Sequence, residues 1–211
     1  MTRTDIINYL IRKYNYKSYL EIDLDMGVNY EHVQCDSKAS VDPFFREDHE
    51  NGRDLQFDSD IPQRIKDLLT YRLTSDCFFE QNTKTYDIIF VDGLHLEAQV
   101  GKDIINGLKV LNPGGIIVVH DCLPGSELMQ EVPRKTDAWN GSVWKAVYEL
   151  IQQGLDIQVV DTDWGCGLIK YCDNSELLHY PKTSEATWTD FSKNRNEMMH
   201  VISKEEFLKL Y

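Results

Sequence analysis

Apolar and polar positions follow a regular order along most of the chain. In Asp5–Tyr14 the apolar residues recur at helical spacing, which predicts an amphipathic helix with Thr4 as its N-cap. The apolar-rich run Ser18–Leu24 predicts a strand, and a second helix is expected from about Asn29 onward. The first elements of the chain are thus predicted to be helix, strand and helix.

The middle of the chain carries the strongest pattern. Tyr86–Val91 and Ile116–His120 are near-continuous apolar runs, as expected of parallel strands that are covered on both faces. Between them, Glu97–Leu111 has the apolar stripe of an amphipathic helix. This alternation predicts an α/β fold with a doubly wound, mostly parallel sheet. The other predicted elements are strands at Ala39–Asp42, Ile157–Val160 and Gly167–Tyr171 and helices at Ile61–Leu69 and Ser142–Gln152.

Other segments lack such a pattern. Phe44–Asp60 is polar and is expected to form an irregular surface loop, and Asn112–Gly115 has the composition of a turn. We assign residues 1–172 to one α/β domain. Residues 173–211 are polar up to an apparent helix at Ser203–Leu210, and we expect this C-terminal extension to pack on the core or to mediate homodimer contacts.

Acidic residues stand at or just beyond nearly every predicted strand, including a third strand expected before Ser75. In doubly wound sheets, ligands bind beyond the carboxyl ends of the strands, so residues at these positions are candidates for a functional site. The acids at these positions are Glu21, Asp23, Asp25, Asp42, Asp76, Asp92 and Asp121.

The composition limits the classes of function. The 211 residues include 22 Lys+Arg and 35 Asp+Glu, so the formal net charge is −13, which argues against a nucleic-acid-binding surface. No apolar run reaches the ~20 residues of a membrane span, and the amino terminus lacks a signal-peptide pattern. The five cysteines lack zinc-site spacing, so we expect Cys77 and Cys122 to be buried fillers in a reducing cytoplasm.

The loop after the first predicted strand does not resemble a nicotinamide site. A dinucleotide fingerprint needs several glycines near a helix N-terminus, whereas this loop has only Gly27 and three acids beginning with Glu21. A ligand that bears an ammonium group suits such a rim better than a diphosphate. Asp42 stands where an acid commonly accepts hydrogen bonds from ribose hydroxyls, although it also fits a turn before Pro43.

Three motifs, taken in order, resemble one family. They are SYLEIDLDMGVNYEHV followed by SVDP, then YDIIFVDGLHLEA, then LNPGGIIVVHD. Together they resemble class I S-adenosylmethionine-dependent methyltransferases, in particular the sugar O-methyltransferases of antibiotic and surface-glycan biosynthesis. The resemblance covers roughly residues 1–172. It implies a seven-stranded sheet with one antiparallel strand near the carboxyl terminus, and a cofactor bound across the first two strand ends.

The resemblance implies a role for each matching residue. Glu21 would hold the methionine ammonium of the cofactor, Gly27 would let the loop backbone approach it, and Asp42 would accept hydrogen bonds from the ribose. Ser75 and Asp76 would flank the adenine, although both residues also fit a helix N-cap. The expected cofactor-binding set is Glu21, Asp23, Gly27, Asp42, Ser75, Asp76 and Asp92.

Asp23 departs from the family pattern, in which this position is usually a glycine. Its side chain could crowd the methionine end of the cofactor, or it could add a second acceptor for the ammonium. The departure keeps an alternative function open, namely a non-catalytic relative that binds a nucleoside ligand or a protein partner.

The segments DGLH and HD predict the reaction centre. Methyl transfer to a hydroxyl benefits from a base or from a metal that lowers the hydroxyl pKa. By the resemblance, His95 is the base, while Asp92 and Asp121 bind Mg²⁺. His120 stands where the related enzymes often have an acid, which favours a softer divalent ion or only two protein ligands. The catalytic set is therefore His95 and Asp92, and the metal set is Asp92, Asp121 and His120.

Each of these residues also has a purely structural interpretation. Asp92 fits a cap on the helix that begins near Leu94, His95 fits a surface position on that helix, and His120 fits a hydrogen-bonded core histidine. Their convergence at adjacent strand ends favours the functional interpretation. Further along, Trp139 could stack on a sugar or plug the core, beside a lid expected at Leu123–Ala138.

The sequence therefore predicts a cytoplasmic S-adenosylmethionine-dependent O-methyltransferase. The expected partner is a small hydroxylated acceptor, most plausibly a sugar or glycan precursor, with no nucleic acid and no membrane. Asp163–Gly167 is expected to be a tight turn with a structural role.

Overall fold

The computed structural model describes residues 1–43, 45–48, 52–55, 61–171 and 184–211. Its centre is a seven-stranded sheet in the order β2-β1-β5-β6-β8-β7-β9, and a separate pair, β3-β4, forms a small hairpin. The strands are β1 Ser18–Ile22, β2 Ser37–Val41, β3 Phe45–Asp48, β4 Gly52–Leu55, β5 Tyr86–Val91, β6 Leu111–Val119, β7 Ile157–Val160, β8 Cys166–Lys170 and β9 Val201–Ile202. The helices are α1 Arg3–Tyr14, α2 Val28–His32, α3 Gln63–Leu68, α4 Ser75–Gln81, α5 Glu97–Lys109, α6 Glu127–Gln130, α7 Val143–Gln152, α8 Trp188–Met198 and α9 Lys204–Leu210.

The sheet is mostly parallel. Strand β1 pairs in parallel with β2 and β5, β5 pairs in parallel with β6, and β7 pairs in parallel with β9. Within the described part of this seven-stranded sheet, only β8 runs antiparallel to its neighbours, which are β6 and β7. The predicted α/β class and the single antiparallel strand near the carboxyl terminus are both confirmed.

Strand β5 shows how the sequence builds two apolar layers. Alternate side chains of a strand point to opposite faces, so Ile89 and Val91 join one buried cluster while Ile88 and Phe90 join the other. The first cluster is completed by the apolar faces of α5 and α7, and the second by those of α1 and α9. Helices on both faces explain why this strand is a continuous apolar run.

Helix α1 begins earlier than predicted. Its N-cap is Thr2 and not Thr4, because the Thr2 hydroxyl accepts a hydrogen bond from the backbone N–H of Asp5 while the Asp5 carboxylate accepts from the N–H of Thr2. Asn15, in the left-handed conformation with φ 57°, ends the helix. The two additional residues at the start of the helix bring Arg3 into regular structure.

Three predictions of local structure are wrong. Part of the loop predicted at 44–60 is the β3-β4 hairpin, whose register sets Arg46 opposite Asp54 rather than alternating apolar residues. The turn predicted at Asn112–Gly115 lies inside β6, where the register with β5 shifts. The third strand expected before Ser75 is a single bridge between Val41 and Tyr71.

The end of the chain contributes to the same layers. Phe191 of α8 and Phe207 of α9 are fully buried, and β9 extends the sheet beside β7. Cys122 is buried as predicted, whereas Cys77 is exposed because it lies on the outer side of α4. Among the described residues, no helix combines the length and apolarity that a membrane span requires.

Candidate active site

A cleft of about 1280 Å³ opens at the carboxyl ends of β1, β2, β5 and β6. All residues of the predicted site except Gly27 line this cleft. The backbone is strained along the same edge, because non-glycine residues rarely adopt positive φ angles. Positive φ angles occur there at Asp23, Asp25, Leu94, His95, Asp121, Asp163 and Trp164.

Glu21 lies on the floor of the cleft and is almost fully buried. Its Oε2 accepts a hydrogen bond from the Tyr19 hydroxyl and another, of 3.0 Å, from the amide of Asn29. Burial raises the pKa of Glu21 to about 8, despite these two hydrogen bonds. A cationic group that enters the cleft would therefore find an oriented carboxyl group that gives up its proton on binding.

Asp42 holds the first loop in place. Its Oδ2 accepts hydrogen bonds from the backbone N–H groups of Leu24, at 2.9 Å, and Asp25, at 3.0 Å. The Asp42 side chain is also hydrogen-bonded to Asp23. Burial and, next, the contact with Asp42 raise the pKa of Asp23 well above its ordinary value. Asp23 is therefore the acid of this cluster whose surroundings favour the neutral carboxyl.

Asp23 has a backbone conformation that favours glycine. Its φ is 75°, in the left-handed region that a residue with a Cβ adopts only at a cost. A Cβ on the facing Gly93 would lie 3.4 Å from the Cβ of Asp23, which is tight. The side chain of Asp23 thus lies next to Gly93, in the space that a larger residue at position 93 would fill.

Gly27 lies at the end of the first loop and does not line the cleft. It is the N-cap of α2 with φ 68°, and a Cβ there would lie 2.7 Å from Cδ1 of Leu68. Its glycine requirement therefore comes from backbone conformation and from packing against α3.

The predicted adenine-binding residues meet at the start of α4. The Nε2 of Gln99 lies 3.1 Å from Oγ of Ser75, 3.0 Å from Oδ1 of Asp76 and 3.0 Å from Oδ1 of Asp103. Burial raises the pKa of Asp103 to about 7. The N-cap of α4 is Thr74, so Ser75 and Asp76 are not needed as the cap and face the cleft.

Asp92 lies among the charged groups at the ends of β5 and β6, where it contacts Arg3 and His120. Nη1 of Arg3 lies 3.0 Å from its Oδ2, and Nδ1 of His120 lies 3.0 Å from its Oδ1. Burial alone would raise the pKa of Asp92, but His120 and then His95 hold it well below its ordinary value. Asp92 is therefore ionised over the whole physiological range.

His95 lies between two carboxylates at the mouth of this half. Its Nδ1 is 2.9 Å from the carbonyl oxygen of Trp139, so this nitrogen carries a hydrogen, and it is 3.3 Å from Oδ2 of Asp121. Its Nε2 is 3.2 Å from the Asp92 carbonyl and 3.6 Å from Oδ1 of Asp92. Burial would lower the pKa of His95, but the two acids outweigh it and raise this pKa.

His120 is a buried histidine with a fixed orientation. Its Nε2 is 2.7 Å from the carbonyl oxygen of Asp163, which can only accept a hydrogen bond, so Nε2 carries a hydrogen. Its Nδ1 faces Asp92 and, at 3.3 Å, Oδ1 of Asp121. Burial opposes a charge on His120, but Asp92 and these neighbours raise its pKa well above the ordinary value.

The segment after α6 closes over His95. The ring of Trp139 stacks on the His95 imidazole with centroids 5.3 Å apart. Asn140 donates a 2.7 Å hydrogen bond to Oδ1 of Asp121, while its own Oδ1 is buried without a partner among the described residues. Gly141, at φ 59°, brings its backbone so close to His95 that a Cβ would lie 2.1 Å from the His95 carbonyl oxygen.

A divalent cation was predicted at this point, and the arrangement gives it little room. Asp92, His95 and Asp121 offer ligand atoms that lie within 4.8 Å of one another. His120 does not belong to this group, and its Nδ1 and the guanidinium of Arg3 already contact both oxygens of Asp92. A divalent cation bound to this group would therefore have to compete with Arg3 and His120 for the oxygens of Asp92.

Sequence reasoning missed several residues of the site. Arg3 and Asp163 come from the two ends of the α/β domain, and no local pattern links them to Asp92. Asn140 was not among the predicted site residues. Asp103 did carry a signal, because an acid between the apolar residues of α5 is unexpected on a buried helix face.

The comparison with known families agrees with the geometry. A family model described as "Methyltransferase domain" matches residues 11–122, more than half of the chain. The chain therefore belongs to this methyltransferase-domain family. No curated protein sequence gives a significant match.

Solved structures share the fold at low sequence identity. A methyltransferase of Podospora anserina bound to S-adenosylhomocysteine is 16% identical, with a TM-score of 0.56 over 81% of this chain and 78% of that one. An O-methyltransferase of Bacillus cereus, also with S-adenosylhomocysteine, is 13% identical, with a TM-score of 0.55 over 82% of each chain. An amino pentose methyltransferase of Micromonospora echinaspora is 9% identical, with a TM-score of 0.52 over 80% of this chain and 89% of that one. The fold is that of S-adenosylmethionine-dependent methyltransferases.

Proposed function

We propose that this protein transfers a methyl group from S-adenosylmethionine to a hydroxyl of a small acceptor, with a sugar or glycan precursor as the preferred class. The observation that carries the proposal is the position of His95, between Asp92 and Asp121 at the mouth of a large cleft. A methyltransferase that acts on oxygen benefits from a base at this place, because a sugar hydroxyl holds its proton far above neutral pH.

The cofactor half of the cleft is the half that Glu21 and Asp42 line. The buried carboxyl of Glu21 suits the ammonium of the methionine moiety, and the carboxyl of Asp42 suits ribose hydroxyls. Ser75, Asp76 and Asp103 offer polar atoms at the adenine end, around the amide of Gln99. When bound, S-adenosylmethionine supplies a methyl group on a sulfonium sulfur that leaves as a neutral thioether.

His95 takes the acceptor proton at Nε2. Its Nδ1–H is directed to the Trp139 carbonyl, so Nε2 is the nitrogen that can accept. Once protonated, Nε2 lies beside the Asp92 carbonyl and carboxylate, which stabilise the positive imidazolium. The acceptor oxygen then forms its bond to the methyl carbon while the carbon–sulfur bond breaks, and the proton lost by the hydroxyl stays on His95.

A sugar acceptor is supported by the surface around His95. Trp139 is partly exposed and stacks on His95, so its ring offers an apolar face beside polar groups, an arrangement that suits a pyranose. The structurally similar amino pentose methyltransferase acts on a sugar, which agrees with this choice of class. We propose a cytoplasmic location, as predicted from the cysteines.

Calorimetry and a product assay test the proposal. Titration with S-adenosylhomocysteine is expected to show one binding site, and incubation with S-adenosylmethionine and a panel of nucleotide sugars and glycosides is expected to release S-adenosylhomocysteine. His95→Ala should bind the cofactor product as the parent does but should not turn over the acceptor. Absence of binding to either form of the cofactor would contradict the proposal.

A further inference from the structure

We propose that Arg3 is a positioning residue that supplies the fixed positive charge at Asp92, in the place of a divalent metal, so that methyl transfer by this protein requires no metal. The inference rests on the proposed methyl transfer for its functional consequence. The competition between Arg3 and a metal ion for Asp92 can be measured without any methyl transfer.

Arg3 reaches the reaction centre from the first turn of α1. Its Nη1 lies 3.0 Å from Oδ2 of Asp92, and its Nε lies 3.2 Å from Oδ2 of Asp163. A guanidinium remains protonated in proteins, and its planar fork suits two carboxylates at once. The charge that faces Asp92 is therefore permanent.

The backbone around Arg3 is fixed at several points. The N–H of Arg3 donates a 2.7 Å hydrogen bond to Oδ2 of Asp163, and the hydroxyl of Thr162 donates to the Met1 carbonyl. On the other side, Thr2 forms the capping box with Asp5 that starts α1. These contacts join the start of α1 to the loop between β7 and β8, so the direction of the Arg3 side chain is set by its surroundings.

The carboxylate oxygens that a metal would need already lie within 3.3 Å of protein nitrogens, and Nη1 of Arg3 also lies 2.8 Å from Nδ1 of His120. Oδ1 of Asp92 faces Nδ1 of His120 at 3.0 Å, while Oδ2 faces Arg3. Oδ1 of Asp121 accepts from Asn140 at 2.7 Å, and its Oδ2 lies 3.3 Å from Nδ1 of His95. Because Mg²⁺ binds carboxylate oxygens at about 2.1 Å in near-octahedral geometry, it would have to displace these donors and lie beside a guanidinium.

The consequence for the reaction concerns the orientation of Asp92. Arg3 and His120 each hold one oxygen of this carboxylate, and His95 lies 3.6 Å from Oδ1. Loss of Arg3 would free one oxygen and remove the nearest permanent cation. Asp92 would then be less well oriented toward His95, and its freed oxygen would be open to a metal ion.

The test compares the parent protein with Arg3→Ala and Arg3→Lys, and with Arg12→Ala as a matched control on the exposed side of the same helix. Each protein is dialysed against EDTA and then titrated with Mg²⁺ and with Mn²⁺ by calorimetry. Methyl transfer is measured in EDTA and with each metal, and S-adenosylhomocysteine affinity is measured separately.

The parent and Arg12→Ala are expected to bind neither metal and to keep their rate in EDTA. Arg3→Ala is expected to bind Mg²⁺ or Mn²⁺, to lose about tenfold or more in kcat without metal, and to keep its affinity for S-adenosylhomocysteine within about twofold. Arg3→Lys should recover part of kcat, since it restores a point charge without the fork.

Binding of Mg²⁺ or Mn²⁺ by the parent, or a loss of its activity in EDTA that metal restores, would overturn the proposal. Lack of metal binding by both the parent and Arg3→Ala would overturn Arg3 as the group that excludes the ion. If no acceptor is turned over, the proposed function fails, while the two calorimetric results still decide the role of Arg3. The metal titration and the EDTA assay of the parent protein decide the proposal even if a variant does not fold.

Discussion

The side chains of Asp23 and Asp42 are hydrogen-bonded to each other across the ends of β1 and β2. Two carboxyl groups can share a hydrogen bond only if one of them is protonated. The raised pKa of Asp23, caused first by burial and then by Asp42, agrees with this arrangement. The part of the cleft proposed for the ribose thus contains a second carboxyl group, which a glycine at position 23 would not supply.

Asp23→Gly is expected to stabilise the protein and to strengthen cofactor binding. Glycine adopts φ 75° without the cost that Asp23 bears, and the variant frees Asp42 from its carboxyl partner. We expect a gain of about 1 kcal/mol in the free energy of unfolding, measured with urea, because relief of the backbone strain outweighs the greater freedom of glycine in the unfolded chain.

Asp23→Asn is the matched control for this variant, because it removes the titratable carboxyl group and keeps a side chain that tolerates the left-handed conformation. It should strengthen S-adenosylhomocysteine binding less than Asp23→Gly does, as measured by calorimetry. If Asp23→Gly instead weakened binding tenfold, Asp23 would be a cofactor ligand.

Glu21→Gln is expected to separate stability from binding. The folded-state pKa of Glu21 is about 8 against an ordinary value of 4.5, so the folded protein holds a proton that the unfolded chain has lost. Stability of the parent therefore falls as pH rises from about 4.5 to about 8. Glutamine removes this loss, and at about pH 8 the variant should be more stable by on the order of 3 kcal/mol.

The same variant should bind S-adenosylmethionine at least about tenfold more weakly, because the ammonium loses its carboxylate partner. Urea unfolding at about pH 5 and about pH 8, together with calorimetry, checks both results. Glu80→Gln is the control, since Glu80 is exposed on α4. Equal stability of parent and Glu21→Gln at both pH values would contradict the buried, protonated carboxyl.

The rate of methyl transfer is expected to rise with pH. His95 must be neutral to accept a proton, and its neighbours raise its pKa above the ordinary 6.5. The kcat/KM should therefore increase through a pKa above that value and level off in the alkaline range.

His95→Gln should remove this pH dependence and lower kcat by roughly a hundredfold or more, with unchanged S-adenosylhomocysteine affinity. His32→Gln, at an exposed position of α2, should leave both quantities as they are. A pH profile of His95→Gln that matched the parent's would assign the base to another group.

Gly141→Ala is expected to damage the site through the backbone of His95. The added Cβ would lie 2.1 Å from the His95 carbonyl oxygen, at a position with φ 59°. We expect a loss of at least about 2 kcal/mol in unfolding free energy, together with a lower kcat. Gly114→Ala is the control, because its φ is 81° but no atom lies within 4 Å of the added Cβ. Equal losses in the two variants would show that only backbone conformation matters.

The fold was predictable where burial dictates the sequence. Strands β5 and β7 were predicted with the bounds that the structure has, since strands covered on both faces must be apolar at successive positions. The β3-β4 hairpin was not predictable in this way, because its polar residues give no periodic signal. The residue shift inside β6 likewise depends on pairing with β5 and not on local composition.

The site was predictable to the extent that strand ends define it. Asp92, His95 and Asp121 do meet, because β5 and β6 are neighbours in a parallel sheet. The role of Arg3 could not be predicted from the sequence, because Arg3 lies 89 residues from Asp92 and 160 residues from Asp163 along the chain. Whether a divalent metal or Arg3 neutralises Asp92 depends on the contact between Arg3 and Asp92, which joins distant parts of the chain.

Helix α1 also links the reaction centre to the end of the chain. Its Tyr9 ring packs against Phe207 of α9 at 5.1 Å, and its Tyr14 hydroxyl donates a 3.0 Å hydrogen bond to the Tyr211 carbonyl. The first turn of the same helix carries Arg3, so one helix contacts both α9 and Asp92, and we expect a shift of α9 to alter the position of Arg3. Substitutions in α9 are therefore a route by which laboratory evolution can tune turnover without altering any residue that lines the cleft.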